Sequence, residues 1–319
     1  MVGAVSGELG RYLAVRILRG LATVLGVVTL VFLLVRMIPG DPVDTILGDR
    51  ATPEDRADLR ERLHLDDSLP VQYGRFLGDV LDGSLGRSFR SDRSVGDRIA
   101  EVLPDTAALA LAALALALAL AIPLGVLAAA RKGTGVDRLA STFAVLGLAI
   151  PNIWLGPLLV LAFAVQLRWL PLPGDDAVGA LGLVLPAVTL GTAFAAVLAR
   201  QTRAATAEAL GQPHVTAARA RGLGEGAVLR RHALRLAWLP ILTVAAAQLG
   251  ALLSGTVVVE KIFERPGLGA LFLDAFFDRD LPVVQGCVLV IALTYVTVNL
   301  ALDLSYAFVD PRLRLGGER

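Results

Sequence analysis

The run Ala107-Ala108-Leu109-Ala110-Leu111-Ala112-Ala113-Leu114-Ala115-Leu116-Ala117-Leu118-Ala119-Leu120-Ala121 contains no charged residue. With its flanks, Asp105–Ala130, it exceeds the roughly 20 helical residues that cross a hydrocarbon core about 30 Å thick. Five further stretches have the same character: Leu13–Val35, Leu139–Leu167, Leu183–Ala204, Leu236–Val259 and Pro282–Ala307. The expected fold is an all-α integral membrane chain of six transmembrane helices. Composition agrees, because 55% of the 319 residues are hydrophobic and only 18% are charged, against about 25% in soluble domains. Mean hydropathy is +0.66, and the charge falls in blocks, dense over Ile38–Leu103 and absent from tracts such as Ala107–Ala121.

Pro123 and Pro151 fall inside spans and are expected to kink them or break the backbone ladder. Pro104 sits where a helix can begin without losing a bond. Lys and Arg in the short connections set orientation. Basic residues mark the N-terminal arm (Arg11, Arg16, Arg19), the second-to-third connection (Arg131, Lys132, Arg138), the fourth-to-fifth (Arg200 to Arg235) and the tail (Arg312, Arg314, Arg319), whereas Trp169–Gly182 has none. This places both termini in the cytoplasm of a multi-pass protein. The first apolar run is long and lacks a small-x-small cleavage site, so it reads as an uncleaved span rather than a leader.

The chain divides in sequence into 1–37, an N-terminal arm with the first span; 38–103, an extracytoplasmic insert; and 104–319, a five-helix core with a basic loop at 205–235. The insert reads as a small helical cap with an acidic surface. Thr52-Pro53-Glu54-Asp55 is a helix start with Leu59 and Leu63 on one face. A second helix is expected over Val71–Leu81, stopping near Gly83, and a third over Ser94–Leu103.

Several chemistries are disfavoured. A phosphate-binding loop needs Gly-x-x-x-x-Gly-Lys-Ser/Thr, and Lys132 and Lys261 are followed by Gly133 and Ile262. His64, His214 and His232 form no His-Glu-x-x-His. Cys287 is the sole cysteine, set among Val288, Leu289 and Val290, and reads as a packed thiol. A net charge of +1 offers no case for nucleic acid. No catalytic, cofactor or metal residue is assigned.

The informative segment is Gln212-Pro213-His214-Val215-Thr216-Ala217-Ala218-Arg219-Ala220-Arg221-Gly222-Leu223-Gly224. Pro213 can open a short helix and Gly222 can close it, with a second short helix over Glu225–Leu234. On composition alone, this is equally a loop whose arginines satisfy the positive-inside bias or lie on anionic lipid.

Motif order favours the sharper reading. Thr216-Ala217-Ala218 with Gly222, and Leu239-Pro240 beyond, resembles the cytoplasmic coupling loop of binding-protein-dependent ABC importer permeases, with Thr replacing the usual Glu. The spacing, with Arg231-His232-Ala233-Leu234-Arg235, resembles the peptide/nickel branch. So do Arg36-Met37-Ile38-Pro39-Gly40-Asp41-Pro42-Val43, Gln72-Tyr73, Gly83-Ser84-Leu85-Gly86-Arg87-Ser88, Val259-Glu260-Lys261-Ile262-Phe263 with Pro266-Gly267-Leu268-Gly269, and the tail Tyr306-Ala307-Phe308-Val309-Asp310-Pro311-Arg312-Leu313-Arg314. In order, they resemble the B-type permease of that branch.

The resemblance implies a type I importer permease forming half of a translocation path in a prokaryotic plasma membrane. Its implied partners are a second homologous permease, two ATPase subunits that bind ATP and Mg, and an extracytoplasmic substrate-binding protein. The implied cargo is a dipeptide or oligopeptide, with nickel or a metal chelate as the alternative; a passive channel subunit is the reading from another class. The coupling residues would be Thr216, Ala217, Ala218, Arg219, Arg221 and Gly222, the small ones seating a lever helix in a groove of the ATPase and the arginines meeting acidic groups at its rim. Asn152, Gln248, Ser254 and Asn299 are candidates for the path or a subunit interface, against simple interhelical bonding. Ala246, Gly250 and Ser254, four residues apart, permit close helix contact.

Overall fold

The computed structural model describes residues 2–37, 41–48 and 51–309. Ile38–Gly40 and Asp310–Arg314, parts of two of the motifs above, lie outside them. The structure is all-α as expected. Among the described residues, the isolated β pairing is Arg87 with Ser94.

Five helices are long and apolar enough to span: Ala14–Leu34, Val95–Ala130, Gly179–Leu210, Glu225–Gly250 and Leu281–Ala301. The sixth expected span, Leu139–Leu167, is two helices, Gly135–Ala149 and Asn152–Gln166, bent by 102°. Pro151 caps the second in an extended conformation (φ −64°, ψ 140°), because a residue beside proline is steered from the helical region and proline donates no backbone bond. Pro123, by contrast, lies within an unbroken helix.

The residues cluster into two compact units, 1–106 with 266–319 and 107–265. In the first, helix α1 (Val2–Met37) packs against α13 (Leu281–Val309). A Cβ on Gly20 would lie 2.6 Å from the Val296 side chain, and Val28 and Phe32 join Leu289 in a buried cluster. The insert supplies α2 (Pro42–Leu47), α3 (Pro53–Arg62) and α4 (Leu69–Leu81). Its surface is mixed rather than acidic, since Arg56 pairs with Asp44, Arg60 with Asp41 and Asp66, and Arg75 with Asp67. Thr52 caps α3 reciprocally with Asp55, as the sequence predicts.

That cap carries a pH dependence. The Thr52 hydroxyl and backbone N–H donate to Asp55 and hold its carboxyl below the ordinary range. A depressed folded-state pKa adds stability above the ordinary value, about 4, and the gain fades as pH falls through that range. Hydrogen exchange across α3 should therefore lose protection on acidification, and Thr52→Ala should remove the dependence.

The third insert helix and the second span prove to be one helix, α5 (Val95–Ala130). Pro104 lies inside it rather than at its start. An interior proline costs about 3 kcal/mol, and here the first turns are held by burial, Val95 and Ile99 packing with Val283, Val284 and Cys287. A short apolar helix, α12 (Leu268–Phe277), occupies what the sequence leaves as loop, and its Leu268 N–H donates to Thr106 Oγ1 at 2.7 Å. Asp280, 2% exposed, accepts from Ser88 Oγ (2.5 Å), Phe89 N–H (3.0 Å) and Arg98 (3.4 Å). This clasps the Gly83–Ser88 turn to the start of α13.

The second unit is built on α8 (Val184–Leu210) and α11 (Leu234–Ile262), with the later part of α5, α6 (Gly135–Ala149) and α7 (Asn152–Leu159) around them. Small residues set the spacing of α5 on α8. Ala113, Ala117, Ala121 and Gly125 recur every fourth residue and are buried, which is the geometry that brings membrane helices together. A Cβ on Gly125 would meet Thr202 at 2.6 Å and the Ala199 carbonyl at 2.7 Å; one on Gly191 would meet the Ala113 carbonyl at 2.8 Å. Residue numbers rise together along the contact, so α5 and α8 run parallel. Their ends, leading to residues 131–134 and 211–224, lie on the same side.

Candidate functional site

The connection after α8 folds on itself. Pro213 occupies the first turn of α9 (Pro213–Ala220), where an absent N–H costs nothing. At the other end Gly222 takes φ +81°; its N–H donates to the Arg219 carbonyl (2.9 Å), and the Leu223 N–H to that of Ala218 (3.3 Å). This paired closure needs a left-handed residue, which glycine supplies without a side-chain clash. Leu223, turned back by it, packs with buried Val215, Ala218 and Val228, so the loop has a small core of its own.

That core decides which residues face outward. Thr216, Ala217, Arg219, Arg221 and Gly222 are exposed, whereas Ala218 is buried. Ala218, expected on an outer docking surface, instead fills the inside of the module. Arg219 donates through Nε and Nη2 to both oxygens of Glu225 (2.8 and 3.1 Å), bracing α9 against α10 (Glu225–Val228). Its charge is thus engaged within the loop. Arg221 is exposed at the end of α9.

The expected second short helix, Glu225–Leu234, is not separate. α10 continues through a π-helical turn, Leu229–Ala233, directly into α11. Ala233 and Ala237 pack with Ala205 and Ala209 of α8, so entry and exit of the loop are clamped together. Beside this neck, Arg203 of α8 donates to Asp137 of α6 at 2.5 and 2.9 Å, and Asp137 also accepts from Gly133 N–H at 2.9 Å. No sequence pattern announces this pair. Its partners are 66 residues apart, and neither stands out among the basic and acidic residues flanking the spans.

The remaining candidates have individual placements. Asn152 is half-buried at the start of α7, beside the Pro151 break. Gln248 is half-buried in α11, and its enclosed Nε2 has no hydrogen-bond partner among the described residues. Asn299 donates to the Tyr295 carbonyl one turn back (2.8 Å), so it serves its own helix. Gly250 is buried and Ala246 half-buried on the period-four stripe; the Ser254 side chain, like that of Asp303, lies outside the described set. Cys287 is buried among apolar residues, as expected. Gln285 of α13, which no sequence motif marks, is another buried amide whose Nε2 has no hydrogen-bond partner among the described residues.

Residues 121–315 match the family described as binding-protein-dependent transport system inner membrane component, and residues 9–110 match its N-terminal domain. The glutathione transport system permease protein GsiC of Salmonella paratyphi A is 39% identical over 95% of this chain and 98% of its own length. GsiC of Pectobacterium atrosepticum is 40% identical over the same shares. The probable peptide ABC transporter permease y4tP of Sinorhizobium fredii is 37% identical over 96% of this chain and all of its own. Among solved structures, an amino acid ABC transporter described with histidines matches at TM-score 0.48 and 15% identity, over 65% of this chain and 92% of that one.

Proposed function

We infer that this chain, which belongs to the binding-protein-dependent transport system inner membrane components, is a peptide-class permease that receives mechanical work through residues 211–224. It is the permease component and not the ATPase. The observation supporting the lever is the self-packed module between α8 and α11: a short helix with its own core, clamped at its neck by Ala205, Ala209, Ala233 and Ala237, presenting Thr216, Ala217, Arg221 and Gly222 outward.

A lever must transmit force without yielding internally. The closure at Gly222, the Arg219–Glu225 brace and the direct run into α11 make a stiff element whose displacement tilts α8 and α11 together. The exposed small residues admit close approach by a partner groove, and Arg221 can meet an acidic rim. In this reading two ATPase subunits press on this chain and on a second homologous permease, alternating access to a path between them, while a binding protein delivers cargo on the other side. The parallel α5 and α8 put residues 131–134 and 211–224, both basic, on one side. This supports a cytoplasmic loop and cytoplasmic termini in a prokaryotic plasma membrane.

Cargo of small peptides, glutathione included, is supported by the relatives' near full-length similarity. The test is uptake into proteoliposomes holding both permeases, the ATPases and the binding protein. Labelled dipeptide or glutathione should accumulate only with ATP and all partners present. Gradient-driven leakage through the two permeases alone would make the pair a passive channel and overturn the proposal. ATP-driven uptake of nickel or a metal chelate, with no competition by peptides, would replace the cargo but keep the mechanism.

A further inference from the structure

The first compact unit holds a cavity of about 460 Å³ lined by the insert and the ends of α1, α12 and α13. Its polar wall includes Arg36, Arg60 and Arg279; its apolar wall includes Leu69, Phe277 and Leu281. Arg60 is already engaged by Asp41 and Asp66. Arg36 lies with its guanidinium 3.5 Å over the Phe32 ring and donates to Gln72 and the Phe32 carbonyl. Neither Arg36 nor Arg279 has a carboxylate partner among the described residues. Asp41, which also lines the cavity, is paired with Arg60, so Arg36 and Arg279 are left with no matching anion among the described residues.

Depth identifies what could supply one. Arg36 lies in the last turn of α1 and Arg279 two residues before the start of α13, so both stand at the ends of membrane helices. Helix ends of this kind fall in the polar headgroup region that flanks the hydrocarbon core. Phe277, 73% exposed, and Leu69 leave the mouth apolar at that depth.

Arg279 also holds a costly backbone. It has φ +57° at the end of α12, where its N–H donates to the Phe276 carbonyl (3.3 Å) and that of Asp280 to Ala275 (2.9 Å). Glycine fills such positions without strain; here the backbone cost falls on a residue whose side chain lines the cavity.

We propose that this cavity binds one anionic phospholipid, its phosphate held by Arg36 and Arg279 and its acyl chains leaving past Leu281 and Phe277. Forked guanidinium groups suit phosphate oxygens, and the cation–aromatic stack leaves Arg36 preorganised.

Native mass spectrometry of the full chain, released from nanodiscs of equal phosphatidylglycerol and phosphatidylcholine, tests this. The wild type should retain phosphatidylglycerol selectively, and Arg36→Gln or Arg279→Gln should each weaken that retention about tenfold, the worth of one charge-assisted hydrogen bond. Arg279→Gly separates binding from folding: retention should fall as much, while the thermal midpoint in lipid-free detergent rises by roughly 2 °C as the strain is relieved. Wild-type retention in the arginine variants overturns the proposal, as does a lowered midpoint with unchanged retention. Displacement of the lipid by millimolar inorganic phosphate or by a dipeptide would instead make the cavity a general anion or cargo pocket.

Discussion

Gly222→Val should reduce ATP-driven uptake more than tenfold while the chain still inserts and assembles. The reason is conformational rather than steric, since a Cβ at Gly222 would meet nothing within 4 Å. At φ +81° an L-residue costs about 1–2 kcal/mol, and a β-branched one is worse. The closing bonds to Arg219 and Ala218 would be lost, and with them the turn that brings Leu223 onto Val215, Ala218 and Val228. A core this small has little local stability in reserve, so the lever should soften before the bundle does.

The prediction has internal contrasts. Gly224 has φ −65° and open space around it, so Gly224→Ala should leave uptake unchanged. Asn tolerates the left-handed region, so Gly222→Asn should retain more uptake than Gly222→Val. Ala217→Trp, on the exposed face, should uncouple hydrolysis from uptake with hydrogen exchange over Pro213–Gly222 unaltered. Ala218→Trp should uncouple by loosening the module, and exchange should accelerate. Normal uptake by both Gly222→Val and Ala217→Trp would remove the lever from the mechanism.

Gly125→Leu should sharply reduce the yield of folded permease. Even alanine there would set its Cβ against Thr202 and the Ala199 carbonyl, and the obstacle is partly backbone. Overpacking of this kind costs about 1–3 kcal/mol, and leucine adds further atoms to a seam with no void, forcing α5 away from α8. Because α8 also packs with α11 in the same buried cluster, the displacement propagates toward the loop's neck. Gly26 of α1 is the control: a Cβ there meets nothing within 4 Å, so Gly26→Leu should be recovered at wild-type levels. Size-exclusion profiles and thermal midpoints of the detergent-solubilised chains check both. Equal behaviour would show that the α5–α8 contact is not limiting.

Much of the architecture was legible one-dimensionally. Long charge-free tracts report membrane helices because an unsatisfied backbone cannot sit in hydrocarbon. Thr52, Pro213 and Gly222 mark helix ends because capping depends on a few adjacent residues. The short helix that opens at Pro213 and closes at Gly222 is legible along the chain, but the orientation of its faces is not: Ala218 looks as suited to a partner's groove as Ala217 until Val228, ten residues on, covers it.

Local chemistry in the sequence determined the spans, the caps, the left-handed turn at Gly222 and the family-like motif order. Tertiary packing alone decided that Pro104 lies inside a continuous helix, that Arg203 meets Asp137, and that Ala113, Ala117, Ala121 and Gly125 form a seam. These depend on which distant atoms meet. Burial energy and close contact belong to pairs of residues far apart in the chain, and no local pattern encodes the partner.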